Sequence, residues 1–481
     1  MPRKITGLFA LIPLLASVGT VALTEDQEFD GQSIPLDDVI QVHEQSLQNQ
    51  FCAYFIDVEK GDSILLKGEK TILIDGGELD RKNPKQILTI LERNDKEFVD
   101  LDSIVLTHPD KDHYGGLLLL LRDDQKIDPD TGDVPFVLKD VKRYYGNLER
   151  DVGTYLQEFR DRWSDQRFEY DNEVLWRDKK VIRISDDVLM ETLFPIKDAH
   201  LQKSDLMTMK EVYENYPDEF KDAKKMGLKD EDYKGTPHNA NSLVFRISYE
   251  QFSMLLAGDA EATTEYMLAE HYGSELKSDV VKISHHGGKY SSVPQFVQAT
   301  NPIISIVTAD EKKNSHGHPS EWALESYENQ GSNVYQTGLD GTIEICSDGK
   351  SFLVETDGSR YDDGYLDSHF FVILDDDEYQ GINFTLNPTD RDNLDPLMQI
   401  KHVSYDEQYK TILIEFDETD FEGSVTYTIP NTLLKDANVI GDEGVVGYEI
   451  SYNEDDITIT VNHEVGDDTT IIVGVTVAED T

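Results

Sequence analysis

The segment His108-Pro-Asp110-Lys-Asp112-His113 constrains this chain more than any other stretch, because four of its six side chains can bind a metal. It directly follows the apolar run Ile104-Val-Leu106. Residues two apart on a strand point the same way, so His108 and Asp110 can leave the strand end towards one ion. The adjacent Asp112 and His113 can face a second ion after the chain turns. Imidazole and carboxylate ligands suit zinc, manganese or iron.

Two glycines, Gly115 and Gly116, follow this segment and precede the apolar run at residues 117–121. Because glycine has no Cβ, they let the backbone pass close to the predicted site before a helix begins. Taken alone, the segment also fits a polar loop that happens to hold two histidines.

Three later residues strengthen the metal interpretation. Asp259, His285 and His318 each come after an apolar run that is typical of a buried strand. Singly, a turn aspartate or a core histidine would explain each of them. Together with the first segment they predict one site, because a covered sheet exposes its functional side chains where strands end.

The charge of the chain limits its partners. Its 481 residues include 44 Lys and Arg against 95 Asp and Glu, a formal net charge of -51, with 38% hydrophobic residues. This composition predicts a globular protein with a very acidic surface rather than a disordered acidic chain. Such a surface repels polyanions at long range, which argues against broad electrostatic capture of nucleic acid or anionic membranes.

The first residues predict secretion. The basic Pro2-Arg3-Lys4 precedes an apolar stretch over residues 5–23, with small residues at 20–22 for cleavage. We therefore expect residues 1–23 to be a signal peptide and the protein to be extracellular, with an uncleaved membrane anchor as the alternative. Residues 24–50 form a polar lead-in. No later segment is apolar enough for a transmembrane channel.

The two cysteines, Cys52 and Cys346, both lie in strand-like segments. A secreted location permits a disulfide between them. The sequence leaves open whether they are bridged or are two separately buried thiols.

Residues 51–357 predict an α/β hydrolase domain in which strands and helices alternate with local hairpins. Residues from about 197 to 237 are charged and poor in strands, and we interpret them as an insertion over the site. The sequence leaves open whether this insertion is a lid or a surface loop. Strands are predicted over residues 53–58, 63–67, 71–74, 104–107, 143–145, 180–184, 189–194, 243–247, 252–256, 280–284, 303–308, 342–346 and 352–355, and helices over 84–94, 117–121, 153–163, 263–271 and 320–328.

The last part of the chain has a different pattern. Residues 366–481 contain strand segments at 411–416, 425–429, 457–461 and 471–477, most with a period of two and separated by acidic turns. We predict a C-terminal β-sandwich of immunoglobulin-like type, joined by a linker near residues 357–365. Such a domain can contact a cell surface, but its pattern names no ligand.

The order of the motifs resembles the metallo-β-lactamase superfamily, and within it the branch that includes the extracellular domain of ComEC-like (Rec2-like) DNA-uptake proteins. The resemblance covers residues 51 to about 356. It rests on the motifs Asp57-Val-Glu-Lys-Gly-Asp62-Ser, Leu73-Ile-Asp75-Gly-Gly, Thr107-His-Pro-Asp-Lys-Asp-His-Tyr-Gly-Gly116, Asn239-Ala-Asn-Ser242-Leu-Val, Leu256-Ala-Gly-Asp259, Lys282-Ile-Ser-His-His-Gly287 and Asn314-Ser-His-Gly-His-Pro319. It implies a four-layer αββα sandwich with a two-metal site along one edge.

The resemblance also implies roles for individual residues. One metal would be held near His108, Asp110 and Asn239. The other would be bound by Asp112, His113 and His285, with Asp259 bridging the two. Asp62 and Asp75 would orient these ligands. His286 and His318 would line the site and contact the substrate or its leaving group.

Two departures from the commonest pattern of the superfamily affect the first metal. Asp110 and Asn239 stand where histidines are usual, as in the ComEC-like branch. They replace nitrogen ligands by oxygen, so we expect two divalent ions with zinc as the first choice and manganese as the alternative. His238 and Asn241 are alternatives to Asn239, and the choice between His285 and His286 as ligand stays open.

The predicted function is that of a metal-dependent hydrolase. Two divalent ions about 3.5–4 Å apart lower the pKa of a shared water until a bridging hydroxide exists near neutral pH. Asp112 or Asp259 would orient this hydroxide, and one metal would polarise the oxygen of the substrate. The resemblance implies a phosphodiesterase or nuclease acting on a phosphodiester or another small anionic substrate, including nucleic acid.

Two other functions remain as alternatives. The same hydroxide could open another ester, a lactone or a lactam, or cleave a choline-phosphate ester. The protein could also be a non-enzymatic surface-binding protein that uses its C-terminal domain. The complete set of metal-binding residues argues against the second alternative.

Overall fold

The structure is a computed structural model, and it describes the following residues: 26–29, 32–35, 50–80, 82–93, 101–121, 143–146, 154–163, 181–196, 201–310, 316–356, 367–373, 379–385, 400–406, 411–416, 423–430, 434–441, 447–452, 456–463 and 469–475. The predicted signal peptide and the predicted linker lie outside these residues. The chain divides into two compact units, residues 51–344 and residues 1–50 together with 345–481. The predicted domain limits at residues 357 and 366 stay predictions.

Residues 51–344 contain two sheets and their helices. The strands are β3 (Phe51–Phe55), β4 (Ile64–Lys67), β5 (Thr71–Ile74), β6 (Ser103–Leu106), β7 (Arg143–Gly146), β8 (Val181–Arg183), β9 (Val188–Phe194), β10 (Val244–Tyr249), β11 (Phe252–Leu256), β12 (Val280–Lys282), β13 (Ile304–Val307) and β14 (Asn333–Gln336). The helices are α1 (Lys82–Arg93), α2 (Lys111–Leu121), α3 (Thr154–Trp163), α4 (Met209–Val212), α5 (Pro217–Lys225), α6 (Pro237–Ala240), α7 (Ala262–Tyr272), α8 (Pro294–Thr300), α9 (Glu321–Glu328) and α10 (Thr337–Asp340).

The first sheet of this unit runs in the order β3-β4-β5-β6-β7, and the second in the order β14-β13-β12-β11-β10-β9-β8. Helix α2 packs against α1 and α3, and α8 packs against α7 and α9. The α/β class predicted from the sequence is therefore confirmed for this unit.

Parallel pairing brings the ends of several strands to common edges. Strand β5 pairs parallel with β6, Ile74 lying opposite Val105. In the second sheet β12 pairs parallel with both β11 and β13. These strands are apolar runs buried on both faces, as is usual for parallel sheets covered by helices. Polar residues that follow such strands lie beyond the carboxyl ends, where open α/β sheets bind their ligands.

The segment predicted as an insertion is packed into the core of its unit. Met209, Val212 and Tyr213 of this segment are each 1% exposed and belong to a hydrophobic cluster that also contains Phe296 and Trp322. A plain surface loop would leave such side chains accessible. Residues 201–236 are therefore a structural part of the unit, which corrects the surface-loop interpretation, and a role as a lid stays a prediction.

The other unit is built from strands. The first two, β1 (Asp26–Phe29) and β2 (Gln32–Pro35), pair antiparallel. They are followed, from the boundary onwards, by β15 (Ile343–Ser347), β16 (Ser351–Thr356), β17 (Asp367–Ile373), β18 (Tyr379–Thr385), β19 (Ile400–Asp406), β20 (Thr411–Phe416), β21 (Gly423–Pro430), β22 (Leu434–Gly441), β23 (Gly447–Tyr452), β24 (Asp456–His463) and β25 (Thr469–Val475).

Strands β16-β17-β18-β21-β24-β23 are neighbours in one antiparallel arrangement, and β19-β20-β25-β22 form a four-stranded antiparallel sheet. Each of the four strand segments predicted at 411–416, 425–429, 457–461 and 471–477 overlaps a strand of this unit. The immunoglobulin-like sandwich type stays a prediction.

Both cysteines, Cys52 and Cys346, are disulfide-bonded, so no free thiol is present. Within the part of the chain that the structure covers, no helix has the length and apolar character that a membrane crossing requires.

Candidate metal centre

The carboxylate of Asp259 lies among three histidines. It follows β11 and is 3% exposed. Its Oδ2 is 3.3 Å from Nε2 of His113 and 3.7 Å from Nε2 of His108. Its Oδ1 is 3.2 Å from Nε2 of His286. One carboxylate thus faces histidines on both of its oxygens, which is the geometry expected of a residue that bridges two cations.

At this centre, four sets of three side chains have potential ligand atoms within 4.8 Å of one another. They are His108 with His113 and Asp259, Asp112 with His113 and His286, Asp62 with Asp75 and His113, and Asp62 with Asp259 and His286. Strand β6 delivers His108, and the first turn of α2 carries Asp112 and His113. The six-residue segment singled out in the sequence therefore does contribute to a cluster with residues of the second sheet.

The turn after β12 places His286, rather than His285, beside Asp112 and His113. His285 lies on the other side of Asp259, with its Nε2 3.9 Å from Asp259 Oδ2 and 3.2 Å from Nδ2 of Asn239. Both histidines have a left-handed backbone, with φ of 51° and 53°. The geometry favours His286 as the third residue beside Asp112 and His113, although the ligand assignment stays a prediction.

The remaining predicted ligands lie near His108. Asp110 Oδ2 is 3.7 Å from Nε2 of His108 and 3.6 Å from Nε2 of His238. Asn239 is 5% exposed, whereas the side chain of Asn241 bonds to the backbone of Leu201 at 2.8 and 2.9 Å. Asn241 is thus committed to the backbone, while Asn239 and His238 both face the centre.

Hydrogen bonds fix the orientation of His113. Its Nδ1 lies 2.7 Å from Oδ2 of Asp75, a residue that is fully buried after β5. Asp75 also accepts from the backbone N–H of Thr107 at 2.8 Å and from its hydroxyl at 2.6 Å. A carboxylate that accepts the Nδ1 proton leaves the lone pair of Nε2 directed at the centre. This is the orienting role predicted for Asp75.

Two groups hold the Nδ1 side of His286. Nδ1 lies 2.9 Å from the carbonyl oxygen of Thr308, which can accept its proton, and 3.3 Å from Oδ1 of Asp62. Asp62 also accepts from the hydroxyl of Thr308 at 2.5 Å. Its Oδ2 is 2.5 Å from the ammonium of Lys282, which is fully buried and also donates to the carbonyl of Gly258 at 2.9 Å. The buried lysine is therefore paired, as a buried charge must be.

Two glycines permit this packing. A Cβ on Gly116 would lie 1.8 Å from the carbonyl oxygen of Gly76, and one on Gly61 would lie 1.8 Å from that of Asp112. Gly61 also has φ of +96°. Only glycine fits such close backbone approaches.

The charges of the centre shift the pKa values of its histidines in opposite directions. Burial alone would lower the pKa of His286, but Asp259 and Asp62 outweigh it and raise the pKa to about 9. Asp259 and Asp75 likewise raise the pKa of His113 despite its burial. Burial, with His286 and His108 nearby, lowers the pKa of His285 to about 4.

The pKa values of two carboxylates in the centre are lowered. Burial would raise the pKa of Asp259, but His286 and His113 hold it well below its usual range. Burial is likewise outweighed at Asp62, where Lys282 and His286 lower the pKa. In the metal-free protein, protonated histidines thus balance the negative charge of the carboxylates. Bound cations would balance the same charge.

The residues fit a divalent metal by a second criterion. Buried potential ligand atoms have no hydrogen-bond partner among the described residues: His108 Nε2, His113 Nε2, His286 Nε2, Asp259 Oδ1 and Asn239 Oδ1. Native proteins rarely leave so many buried polar atoms unsatisfied in one place. Nitrogen and oxygen donors of this kind suit zinc, manganese or iron.

The centre opens into a cavity of about 220 Å³. His285, His286 and His318 line it, together with Asp110, Asp112 and Asp259 on the side of the centre and with Lys60, Gly61, Thr308, Ala309, Asp310 and His316. The ring of His318 is 5.0 Å from that of His285. His286 and His318 therefore do line the site, as the resemblance implied, and their contact with a substrate stays a prediction.

Sequence reasoning assigned no role to three charged residues of this region. Lys282 lies in the run Val280-Val-Lys-Ile, where a lysine between buried residues signals a buried partner. Lys60 precedes Gly61 at the cavity. Glu261 lies two residues after Asp259 and is 2% exposed, and burial raises its pKa to about 7.

Comparisons with known proteins agree with the motifs. Residues 56–126 match the model of the Metallo-beta-lactamase superfamily. ComE operon protein 3 of Bacillus subtilis (strain 168) is 32% identical over 106 residues, which are 22% of this chain and 13% of that protein. Recombination protein 2 of Haemophilus influenzae is 22% identical over 292 residues, which are 60% of this chain and 28% of that protein.

Competence protein ComA of Neisseria gonorrhoeae is 27% identical over 118 residues, 24% of this chain and 17% of that protein. The chain thus spans between 13% and 28% of the length of these relatives. Among solved structures, Zn(2+)-bound PqqB from Methylobacterium extorquens has 12% sequence identity and a TM-score of 0.30, covering 59% of this chain and 87% of that one. The sequence matches confirm the resemblance to ComEC-like proteins.

Proposed function

We propose that this protein, which carries a metallo-β-lactamase superfamily domain of the ComEC-like branch, is a secreted metal-dependent hydrolase of phosphodiesters. The observation that carries the proposal is the cluster of His108, His113 and His286 around the carboxylate of Asp259. Their Nε2 atoms are 3.2–3.7 Å from it. The superfamily consists typically of metal-dependent hydrolases.

Cations would be held at two neighbouring positions in this proposal. One is formed by His108 and Asp110 with Asn239 or His285, and the other by Asp112, His113 and His286. Asp259 is shared between them. When bound, two divalent ions would supply an ionised water near neutral pH and a Lewis acid for the oxygen of the substrate. Zinc is our first choice of metal and manganese the second.

The protein's own groups would prepare the site for this chemistry. Asp75 holds the Nδ1 side of His113, and the carbonyl oxygen of Thr308 together with Asp62 holds that of His286, so neither imidazole has to reorient. Asp112 lies in the first turn of α2 and lines the cavity, and it would accept a proton from an attacking water. His318 is placed to face a leaving group because it lines the same cavity.

The proposal of a phosphodiester rests on the resemblance to ComEC-like proteins and on the presence of Lys60 at the cavity. An anionic oxygen of the substrate could pair with this lysine in a chain that is otherwise very acidic. The net charge of -51 favours a short or single-stranded anionic substrate over a long duplex.

The test is turnover of several substrates by the purified protein, with zinc, with manganese and after chelation. We expect cleavage of a chromogenic phosphodiester and of single-stranded DNA that requires metal. Changing His113 to Ala or Asp259 to Asn should reduce it about 100-fold or more. Changing His271, an exposed histidine of α7, to Ala should leave it unchanged.

The outcome decides between hydrolase classes. Absence of cleavage of any phosphodiester in either metal would refute the phosphodiesterase proposal. Turnover of nitrocefin or of a lactone in its place would keep the enzyme class and change the bond. A shortened protein that ends before residue 366 should retain turnover, and its loss would instead support a role of the C-terminal strands in substrate binding.

A further inference from the structure

Glu261 is a buried carboxylate between the candidate metal centre and the segment 201–236. It is 2% exposed and immediately precedes α7. Its Oε1 accepts a hydrogen bond from the hydroxyl of Tyr233 at 3.1 Å, and its Oε2 accepts from the backbone N–H of Thr236 at 2.7 Å. Both donors belong to the end of the segment, so Glu261 fixes where that segment finishes.

The backbone around these donors is built for the contact. Gly235 has φ of +80°, and a Cβ on it would lie 2.1 Å from Oε2 of Glu261. Thr236, the next residue, caps α6, and its hydroxyl accepts from the N–H of Asn239 at 3.4 Å. Glu261 therefore also determines the position of the short helix that carries Asn239.

The same carboxylate faces His285. Its Oε1 is 3.5 Å from Nδ1 of His285, a buried atom with no hydrogen-bond partner among the described residues. On the opposite side of the ring, Nε2 lies 3.2 Å from the amide nitrogen of Asn239. An ionised carboxylate can only accept, so its place beside Nδ1 favours the tautomer with the ring proton on Nδ1. The lone pair is then on Nε2, where a bound cation would take the place of the contact with Asn239.

We propose that Glu261 is a positioning residue of the metal centre, which holds His285 with its Nε2 lone pair towards the His108 side of Asp259 and anchors the segment 201–236 to that histidine. This proposal rests on the proposed function only in requiring that the centre binds a metal. It selects His285 as a ligand of the position formed by His108 and Asp110. Asp110 and Asn239 offer oxygen atoms there, so His285 would supply a second nitrogen beside that of His108.

The experiment measures metal binding rather than turnover. Zinc affinity is determined by calorimetry and the cobalt(II) protein by its visible spectrum, for the wild type, E261Q, H285A and the double variant. We expect E261Q to weaken zinc binding at one position about 10- to 100-fold and to alter the cobalt(II) spectrum. The double variant should bind zinc as H285A does, within about twofold, because Glu261 acts through His285.

Two further variants separate positioning from folding. Glu211 lies in the same segment, is exposed and forms a capping box with Thr208, so E211Q should leave zinc affinity unchanged. Y233F removes one donor to Glu261 and keeps the carboxylate, so it should weaken zinc binding in the same direction as E261Q but less.

Several results would overturn the proposal. One is a double variant in which the losses of zinc affinity caused by E261Q and H285A add up. Another is an H285A protein that binds zinc with wild-type affinity. The third applies if E261Q does not fold, and it is a Y233F protein with unchanged zinc affinity. If the wild type binds two metal ions and shows the expected couplings but cleaves no substrate, the proposed function fails and the role of Glu261 stands. If the wild type binds no metal, both fail.

Discussion

Lys60 is the one lysine or arginine among the described residues that line the cavity. Its ammonium is 3.7 Å from Oδ2 of Asp112, and its side chain is 36% exposed. A cation bound at Asp112 would neutralise this carboxylate and weaken its attraction for Lys60. The lysine would then be available to an anionic oxygen of the substrate, which makes it a candidate determinant of specificity.

We predict that K60M raises KM for a chromogenic phosphodiester about tenfold, since a partly exposed charge-assisted contact contributes about 1.4 kcal/mol. Hydrolysis of a neutral ester such as p-nitrophenyl acetate should change little. K60R keeps the charge and is the matched control. Steady-state kinetics on both substrates make the measurement, and equal losses on the two would indicate a damaged metal site instead.

The titration of His286 leads to a second prediction. Its pKa in the metal-free fold is about 9, above the ordinary 6.5. A raised pKa means that protonated His286 stabilises the metal-free fold below about pH 6.5 and that this contribution is lost as pH rises through about 9. A cation takes the place of the proton, so zinc affinity should increase over the same range.

Thermal unfolding of the protein with zinc and with chelator, at several pH values between 6 and 9, measures both effects. We expect the chelated wild type to lose stability between pH 6 and 9, so the difference in unfolding temperature between the zinc-bound and the chelated protein should increase with pH. In H286N this increase should be smaller. A difference that decreases with rising pH would contradict the assignment of His286 to the centre.

At the scale of elements, the burial of the segment 201–236 could not be predicted from its sequence pattern. Its buried side chains are scattered between charged residues, so no apolar run marks it as part of a core. Leu228 is 2% exposed and belongs to the same hydrophobic cluster as Tyr213 and Trp322. Only the folded chain brings these residues together.

We therefore predict that L228A destabilises the protein by about 2–5 kcal/mol, the usual cost of emptying a buried leucine site. K229A, at the exposed neighbouring position, should change stability by less than about 0.5 kcal/mol. Denaturant unfolding followed by fluorescence compares the two. A neutral effect of L228A would favour the lid interpretation, because a lid contributes little to the free energy of unfolding.

The strands that carry the centre were predictable because their apolar runs end in polar residues. Strands β5, β6, β11 and β12 agree with the sequence to within about two residues. The choice between His285 and His286 was not predictable in the same way. Both lie in a left-handed turn after β12, where the alternation of side chains along a strand no longer applies. Strand β14 and helix α8 were missed, since short segments carry little periodic signal.

The partners of the centre were predictable only in part. Asp62 and Asp75 belong to recognised motifs, so their orienting roles were expected. Lys282 contacts the centre through Asp62, which is 220 positions away in sequence. Glu261 contacts it through His285, which is 24 positions away. Contacts of this kind depend on how two sheets and their loops meet, which one sequence does not specify locally.

At the scale of the whole molecule, the net charge of -51 would affect how the proposed anionic substrate approaches the protein. Proteins that capture nucleic acid by basic surfaces release counterions, so their affinity falls as salt rises. We expect this chain to repel a polyanion at long range, and in the proposed function the attraction comes from cations bound at the cavity and from Lys60. The Debye length is about 10 Å at 0.1 M salt, so added salt screens the distant surface more than the short contacts in the cavity.

We predict that KM for a single-stranded oligonucleotide stays level or falls when sodium chloride is raised from about 0.02 to about 0.2 M, as the long-range repulsion is screened. KM for a small phosphodiester should change little over the same range, because it carries too few charges to be repelled at a distance. Initial rates on both substrates, with zinc held constant, make the comparison. A steep rise of KM for the oligonucleotide would show that basic residues outside the cavity bind it, and the acidic surface would then not govern recognition.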